Sequence, residues 1–411
     1  MKNLSILSIC LLTAAGASAQ MSAVKEAERA GDIKDARALI APALTNPESK
    51  GDVYTWYVAG KKEFENFDNL YGKKALGQAV DSKDMGSSLV QGYEYFMTAL
   101  PLDTVPELQK DGTPKLNKDG SPKMKTKYSK DMVNSITGHY NDFLNAGQFL
   151  YDEKDFGGAA KAWGIYADMP GNPMFGKSAP KAPADTVAGQ ILFFKGIADW
   201  QNENLPEANK AFERAINLGY KDKQLYDYAM SVAANLKDDA RVVEIAKKAN
   251  ELFGKDDVKY MSIIINDLII KEKYPEAQSL LEQAIQADPS NAQLLNVMGV
   301  LYEAQKQPEQ AVVYYQRAVE ANPEAAKNQY DMGRMTYIQA ATISEGASNL
   351  DQAAYNKVHN EQVVPLLQKA LPYLEKAYQL DETNSDYKQL LRRLYYDLNM
   401  GAELEKLERG Y

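Results

Sequence analysis

The feature that most constrains this chain is an interval. Pro289 and Pro323 stand 34 residues apart, and so do Gly299 and Gly333. A fixed interval of this length means that one supersecondary element recurs, and such an element buries its apolar face only against its neighbours. The stretch Ala292 to Ala325 spells out what recurs. Leu295, Met298, Gly299 and Tyr302 fall at i, i+3, i+4 and i+7, one face of a helix. Pro308 marks a turn, Ala311, Tyr315 and Ala318 share one face of a second helix, and Asn322-Pro323 ends it. Small residues at Gly299 and Ala311 let the two backbones approach. Leu295 and Tyr315 fill the space between them, and Ala318 leaves room for the next hairpin.

The register carries backward without a gap. Met261, Ile264, Leu268, Ala277, Leu281, Ala284 and Pro289 hold the same places one repeat earlier. Tyr226, Ala229, Met230, Ala246 and Ala249 precede them with one extra residue, and Leu192, Gly196, Ala208, Phe212 and Ala215 precede those. Residues 189–325 therefore read as consecutive hairpins in phase. Outside this stretch the repeats are interrupted. Phe143, Ala146, Gly147, Leu150, Ala159, Trp163 and Tyr166 form one; Trp56 and Gly60 open another, completed by Gly92, Phe96 and Ala99 after an insertion of about 20 residues. Ala36, Ile40, Ala43 and Pro47 belong to a first repeat. Met332 and Gly333 open a last one, completed at Ala370, Leu374 and Ala377 after about 25 extra residues.

This order (a large residue, a Leu-Gly-like pair, Tyr, Ala, an aromatic, Ala, Pro) resembles the tetratricopeptide repeat, with Leu295 where Trp is usual and Met298 where Leu is usual. The resemblance implies an all-α fold: a right-handed α-solenoid of tetratricopeptide-like helical hairpins, about eight repeats plus a C-terminal capping helix pair over 385–411. Arg392, Arg393, Glu403, Glu405, Lys406, Glu408 and Arg409 would give that cap its polar outer face. Residues 20–411 then form a single array, with insertions near 65–85, 104–130, 171–188 and 342–360.

Residues 1–19 read as a signal peptide. Lys2 is the positive start, Leu4 to Leu12 a short apolar run, and Ala17-Ser18-Ala19 the small residues before cleavage, making Gln20 the mature N-terminus. The apolar run is too short to span a bilayer, and no later segment is a transmembrane candidate. Cys10, the one cysteine, lies inside the signal, behind a bulky Ile9 that argues against a lipid-anchored cysteine, so no disulfide or thiolate metal site is expected in the mature chain. The formal net charge is −9, and losing residues 1–19 removes one lysine more. Such a chain lacks the basic footprint that nucleic acid requires. The 26 Tyr against 11 Phe suit half-buried packing positions, where a ring needs a partner and a hydroxyl needs water.

Several local patterns invite a chemical reading. Gly171-Asn172-Pro173-Met174-Phe175-Gly176-Lys177-Ser178 fits the phosphate-loop pattern, but a repeat helix precedes it where a strand is needed, Pro173 removes an amide from the cradle, and Pro180 and Pro183 oppose a following helix. It reads as an inter-repeat loop. His139 and His359 are far apart and lack metal-helix spacing, so no metal or other cofactor is expected, and His139 reads as surface or structural. No nucleophile motif is present, and abundant carboxylates read as a solvated face, which points away from an enzyme. Lys110–Lys115 is echoed eight residues later by Lys118–Lys123, and residues 110–130 carry seven Lys and two Asp. This reads as an exposed, hairpin-like excursion, or as a contact for an anionic headgroup, polysaccharide or acidic partner through Lys115, Lys118, Lys123 and Lys125. Asp103-Thr104-Val105 and Asp185-Thr186-Val187 resemble the O-glycosylation acceptor of Bacteroidetes cell envelopes.

In tetratricopeptide arrays the first helix of each repeat lines a concave groove. The resemblance carries its groove-facing places to Tyr57, Lys61, Asn145, Tyr151, Phe193, Trp200, Asp227, Asn296, Tyr330, Arg334 and Tyr337, about half of which are expected to face solvent. The family's Lys/Asn carboxylate clamp is not reproduced, since Ser262 stands where the lysine partner of Asn266 is needed. The function implied is a non-catalytic scaffold in the periplasm, or associated with the outer membrane, of a Gram-negative bacterium. Its groove would bind a protein or peptide of the cell envelope, as in exported Bacteroidetes proteins of this type. The alternative is a glycan- or other ligand-binding module, enzymatic or not, that uses the aromatic groove and the insertions.

Overall fold

The structure, a computed structural model, describes residues 20–409, so the signal-peptide reading of 1–19 lies outside the described residues. The fold is an all-α helical repeat. Helices pair in sequence as α1 (20–29) with α2 (Ile33–Thr45), α3 (Val53–Ala75) with α4 (Ser82–Leu102), α6 (Asp142–Asp152) with α7 (Phe156–Asp168), and α8 (Asp185–Gln201) with α9 (Leu205–Asn217). A single helix, α5 (Ser129–Gly138), stands before α6. The next pairs are α10 (Lys223–Asn235) with α11 (Asp239–Phe253), α12 (Lys259–Ile270) with α13 (Tyr274–Ala287), and α14 (Ala292–Ala304) with α15 (Pro308–Ala321). Then α16 (Ala326–Gly346) pairs with α18 (Val364–Leu380), with α17 (Gln352–Val358) inserted between them, and α19 (Ser385–Asp397) with α20 (Gly401–Arg409) ends the described chain.

The punctuation is local. The side chains of Asp52, Asp222, Asn291 and Asn384 accept backbone amides at the starts of α3, α10, α14 and α19, and prolines open α9, α13 and α15. Glu203, Lys237, Glu272 and Lys306 hold the left-handed position of successive hairpin turns at φ of 59°, 59°, 55° and 58°. Inside each hairpin the packing follows one rule. A Cβ on Gly60 would meet the Phe96 ring at 2.3 Å, on Gly147 the Trp163 indole at 2.2 Å, on Gly196 the Phe212 ring at 2.3 Å, on Gly299 the Tyr315 ring at 2.5 Å, and on Gly333 the Leu374 side chain at 2.7 Å. The glycine of the first helix is the floor on which the large residue of the second lies. Each such burial contributes about 2–3 kcal/mol.

Contacts group the chain into two compact units, up to Val242 and from Val243, the boundary falling inside α11. In the repeat that the boundary cuts, Met230 and Ala246 replace the glycine and its large partner, and in the next repeat Ile265 and Leu281 do. The glycine-to-ring contact is missing where the grouping breaks.

Two of the insertions are helical. Near 65–85 the extra residues lengthen α3 and α4 to 23 and 21 residues, with only 76–81 left as a turn. Near 342–360 they extend α16 to 21 residues and add α17 and one π turn, His359–Val363. In 171–188 the chain makes 3-10 turns at Met169–Gly171 and Pro173–Ser178 before an extended stretch. In the C-terminal pair, Leu391, Leu394, Tyr395 and Leu407 are buried while Arg392 pairs with Glu408 at 2.8 Å and Arg409 with Glu405 outside.

The lysine-rich excursion is a closed ring, more ordered than a simple hairpin. Pro106, Pro114 and Pro122 begin three copies of an eight-residue pattern. Leu108 pairs antiparallel with Pro114, Leu116 with Pro122, and Met124 with Pro106, which closes the circuit. Glu107 N donates to Lys123 O, Lys123 N to Lys115 O, and Lys115 N to Glu107 O, each at 2.7 Å. Gly112 and Gly120, at φ of 83° and 81°, turn the chain between copies, and Asp111 and Asp119 brace those turns through Thr113 and Ser121. Glu107 accepts from the ammonium groups of Lys115 and Lys123, which hold its carboxyl down to about 2.

The base of the ring is held by Asp103. Its buried carboxylate accepts the backbone amides of Lys127 (3.0 Å), Tyr128 (2.7 Å) and Ser129 (2.6 Å) and the Ser129 hydroxyl (2.7 Å), so it also caps α5. Burial opposes ionisation, but the bonds from Ser129, Lys127 and Tyr128 more than offset it, and the carboxyl lies below its ordinary value.

Gly147→Ala is expected to cost about 1–3 kcal/mol of the unfolding free energy of the first unit by overpacking against Trp163, read by urea denaturation. Gly171→Ala, where a Cβ meets nothing within 4 Å, should change it by less than about 0.5 kcal/mol. Because the Asp103 carboxyl is depressed on folding, its contribution is present above the ordinary carboxylate range and is lost as pH falls through the lower folded value. Amide exchange over 105–129, corrected for intrinsic rates, should accelerate there in the native chain, and at neutral pH in Asp103→Asn, with the other helices unchanged.

Candidate partner-binding site

An open, largely apolar site of the second unit comes from a mismatch in helix length. Helices α14 and α15 have 13 and 14 residues, enough for one repeat. Helix α16 has 21 and runs antiparallel to α15, so its last two turns pass beyond the α14–α15 turn at 305–307. On one side this overhang is covered. Tyr337, Ala340, Val363 and Leu367 bury together, so the inserted residues and the start of α18 pack there. On the side of the α14–α15 turn, nothing in α14 or α15 is long enough to cover it. The result is a solvent-open step of about 650 Å³ whose wall is Met335, Ile338, Ile343 and Leu366, with Lys306, Glu309, Gln339 and Thr342 around it. Ile338 is 37% exposed although it sits mid-helix.

The floor of the step is fixed by charge. Glu303 accepts two bonds from Arg334, both 2.7 Å, and one from the Tyr315 hydroxyl at 2.9 Å. Asp331 lies 3.7 Å from Arg334, and accepts from Lys327 at 2.6 Å and from the Asn296 amide at 2.9 Å. Burial opposes a charge on Glu303, yet the Arg334 guanidinium overrides it and holds the carboxyl below its ordinary value. The bonds to Glu303 raise Arg334 in turn. This network ties α14 to α16 and spends its own charges. Lys306 and Glu309 make no ion pair among the described residues, so the step offers an apolar wall with one cation and one anion beside it. Such a surface suits an apolar side chain on a polar backbone.

The groove residues expected from the sequence divide sharply. In the first unit Asn145 is exposed. Tyr57, Lys61, Tyr151, Trp200 and Asp227 are half-buried. Tyr57 stacks on Tyr128 with centroids 4.3 Å apart, Lys61 pairs with Glu28 at 3.3 Å, Tyr151 packs on Phe156 at 5.2 Å, and Trp200 packs on Tyr228 at 5.2 Å. Phe193 is buried among Phe194, Phe212, Tyr220 and Tyr228. In the second unit Tyr330 is half-buried against Tyr387 at 4.6 Å, and Arg334 sits in the network above. Asn296 is buried on Asp331, and Tyr337 is buried with its hydroxyl donating to Asp397 at 2.6 Å. The expectation that about half of these residues face solvent is therefore corrected. Phe193, Asn296 and Tyr337 belong to the packing between adjacent hairpins, because each finds a ring or carboxylate there.

The other sequence motifs also resolve into structure. The phosphate-loop match follows helix α7 and lies in 3-10 turns, with Phe175 buried in the core of the first unit. His139 places its Nδ1 2.7 Å from the Ser135 carbonyl and its Nε2 2.9 Å from Asp68, between the rings of Phe64 and Phe67, so it pins α5 to α3. A cavity of about 330 Å³ between α2, α3 and α4 has two carboxylates beside it. Both are held by one guanidinium: Arg37 bonds Glu63 at 2.8 and 2.6 Å and Asp84 at 2.7 Å. Neither is a free acid or base. Among the described residues no three His, Cys, Asp or Glu side chains are placed to hold a metal ion, and no helix is long and apolar enough to cross a membrane. Of the basic-loop lysines, Lys115 and Lys123 are spent on Glu107, while Lys118 and Lys125 make no ion pair among the described residues. Thr104 and Thr186 are both exposed.

The wall of the step escaped the sequence reading. Its signal was present: Ile338 and Thr342 continue an i, i+4 row past the length at which a 34-residue repeat must turn.

No curated protein matches the sequence. Among solved structures, the chain is similar to MamA from Desulfovibrio magneticus, with 18% identity over 48% of this chain and 97% of that one and a TM-score of 0.32. It is similar to YrrB, a tetratricopeptide repeat protein described with an unusual peptide-binding site, with 17% identity, 48% and 94% covered and a TM-score of 0.32. It is also similar to a tetratricopeptide repeat protein from Bacteroides fragilis, with 14% identity, 62% and 98% covered and a TM-score of 0.33. A family model matches one stretch of the sequence: residues 268–331, from the end of α12 into α16, are a tetratricopeptide repeat match.

Proposed function

We propose that this chain is a non-catalytic scaffold that docks a protein or peptide partner, and that the step in the second unit seats an apolar side chain of that partner. The observation that carries the reading is the open apolar step, where exposed Ile338 stands between half-buried Ile343 and Leu366 over buried Met335, beside Lys306 and Glu309, which make no ion pair among the described residues. The tetratricopeptide match includes α14 and α15, whose turn forms the other side of the step. Helical-repeat arrays typically bind extended segments on rigid helix surfaces. A leucine-sized side chain entering the step gains about 1.5–3 kcal/mol, while Lys306 and Glu309 select the flanking charges. We propose further that the chain is exported and that its partner belongs to the cell envelope, a reading supported by the signal-like composition of residues 1–19.

A photo-crosslinking residue at Ile338 should yield one dominant protein adduct in cells, and the same residue at Gln283 on α13 should not. Ile338→Asp and Leu366→Asp should weaken capture of that partner at least about tenfold without changing the thermal transition. Equal capture by both variants removes the step from the interface, and glycan binding or hydrolysis with no protein adduct overturns the scaffold reading. Protein recovered from the envelope fraction should begin at Gln20.

A further inference from the structure

We propose that the ring at 104–127 is a docking element for an anionic lipid surface. Three observations converge on it. First, its charge opposes that of the chain: residues 104–127 hold six Lys against Glu107 and two Asp in a protein of net charge −9, and Lys130 follows at the start of α5. Glu107 occupies Lys115 and Lys123, but Lys110, Lys118, Lys125 and Lys130 make no ion pair among the described residues. Second, apolar side chains occupy the equivalent place of each copy and point to water: Leu108 is 53% exposed, Leu116 62% and Met124 46%. Apolar side chains interleaved with lysines are the composition that partitions into a headgroup boundary, where each lysine adds attraction and each buried methylene adds more.

Third, the ring is unsuited to other partners. Each of its three extended segments is hydrogen-bonded to both others, so it has no open strand edge to which a peptide could add. From Thr104 to Lys127 it has no aromatic residue to stack on a sugar. It also has no arginine, the residue that recognises carboxylate or phosphate in a fixed bidentate geometry. Lysines are point charges, and a fluid surface of anionic headgroups asks for no fixed geometry. Asp103 and the Glu107 clamp keep the element folded, so little ordering cost opposes contact.

The test is co-sedimentation of the full chain with phosphatidylcholine vesicles and with vesicles containing 30% phosphatidylglycerol (about the anionic content at which such attraction is strong). The run Leu4–Leu12 is common to all variants and gives them the same background on neutral vesicles. The anionic increment should fall about 600-fold in the quadruple variant Lys110→Gln, Lys118→Gln, Lys125→Gln, Lys130→Gln, at about fivefold per lysine. It should fall at least about tenfold in Leu108→Ser, Leu116→Ser, Met124→Ser. Added salt should weaken it in the native chain. Helical circular dichroism unchanged in both variants, and Met124→Ser alone giving a partial loss, separate docking from misfolding. No anionic increment in the native chain, or one that survives the quadruple variant, overturns the proposal. So does competition by soluble polyglutamate with no effect of the serine substitutions, which would make the element a site for acidic polymers.

Discussion

How closely two helices of a hairpin can lie is set here by a hydrogen atom. Where the first helix carries glycine, the second lays a ring or a leucine directly on its backbone, and an added methyl would overlap that group at 2.2 to 2.7 Å. The contact does more than fill space. Gly147 admits the Trp163 indole, which reaches across to the Leu144 carbonyl at 3.2 Å. Gly299 admits Tyr315, whose hydroxyl meets Glu303, and Glu303 holds Arg334 of the following hairpin. A backbone approach inside one repeat thus fixes a charge pair between repeats. The boundary between the two compact units falls within a repeat where Met230 stands in place of the glycine.

Given this common core, the distinctive parts of the molecule are differences of length. Repeats of equal length stack flush and leave little exposed apolar surface. A longer helix must project, and its projecting turns either recruit a cover or stay open. Helix α16 does both: α17 and the start of α18 close one side of the overhang, and the other side is the step. In the first unit the longer α3 and α4 are closed by α5 and α6, with His139 as a pin, while the Arg37 cluster ties them to α2. Extra residues that leave nothing open serve structure; those that leave a wall bare are the candidates for recognition.

This explains what could be read from the sequence. The hairpins, the phase of their buried faces and the capping pair were legible because each rests on residues a few positions apart: Leu295, Met298, Ala311, Tyr315 and Ala318 are all buried. The secondary structure of the insertions was not, because an interval says how many residues are extra and nothing of their conformation. The groove assignments were legible only in part. A place on the first helix faces a groove if the next hairpin leaves it free, and that depends on side chains 30 to 60 positions away, as with Asn296 on Asp331 and Tyr337 on Asp397. The ring at 104–127 showed its echo but not its closure. Closure required the flanking copies, where Glu107 stands for the lysine of the first and Met124 for the leucine of the third.

The chain therefore contains two repeats that obey opposite rules of growth. The hairpins have free ends: a duplication or loss of one 34-residue segment produces a longer or shorter stack of the same kind. The eight-residue copies of the ring have no free end, since Met124 returns to Pro106. A fourth copy would have no partner to close upon, and a missing one would leave two edges bare. Among natural relatives, lineage-specific change in length should accumulate by whole hairpins, while the small ring is kept at three or deleted outright.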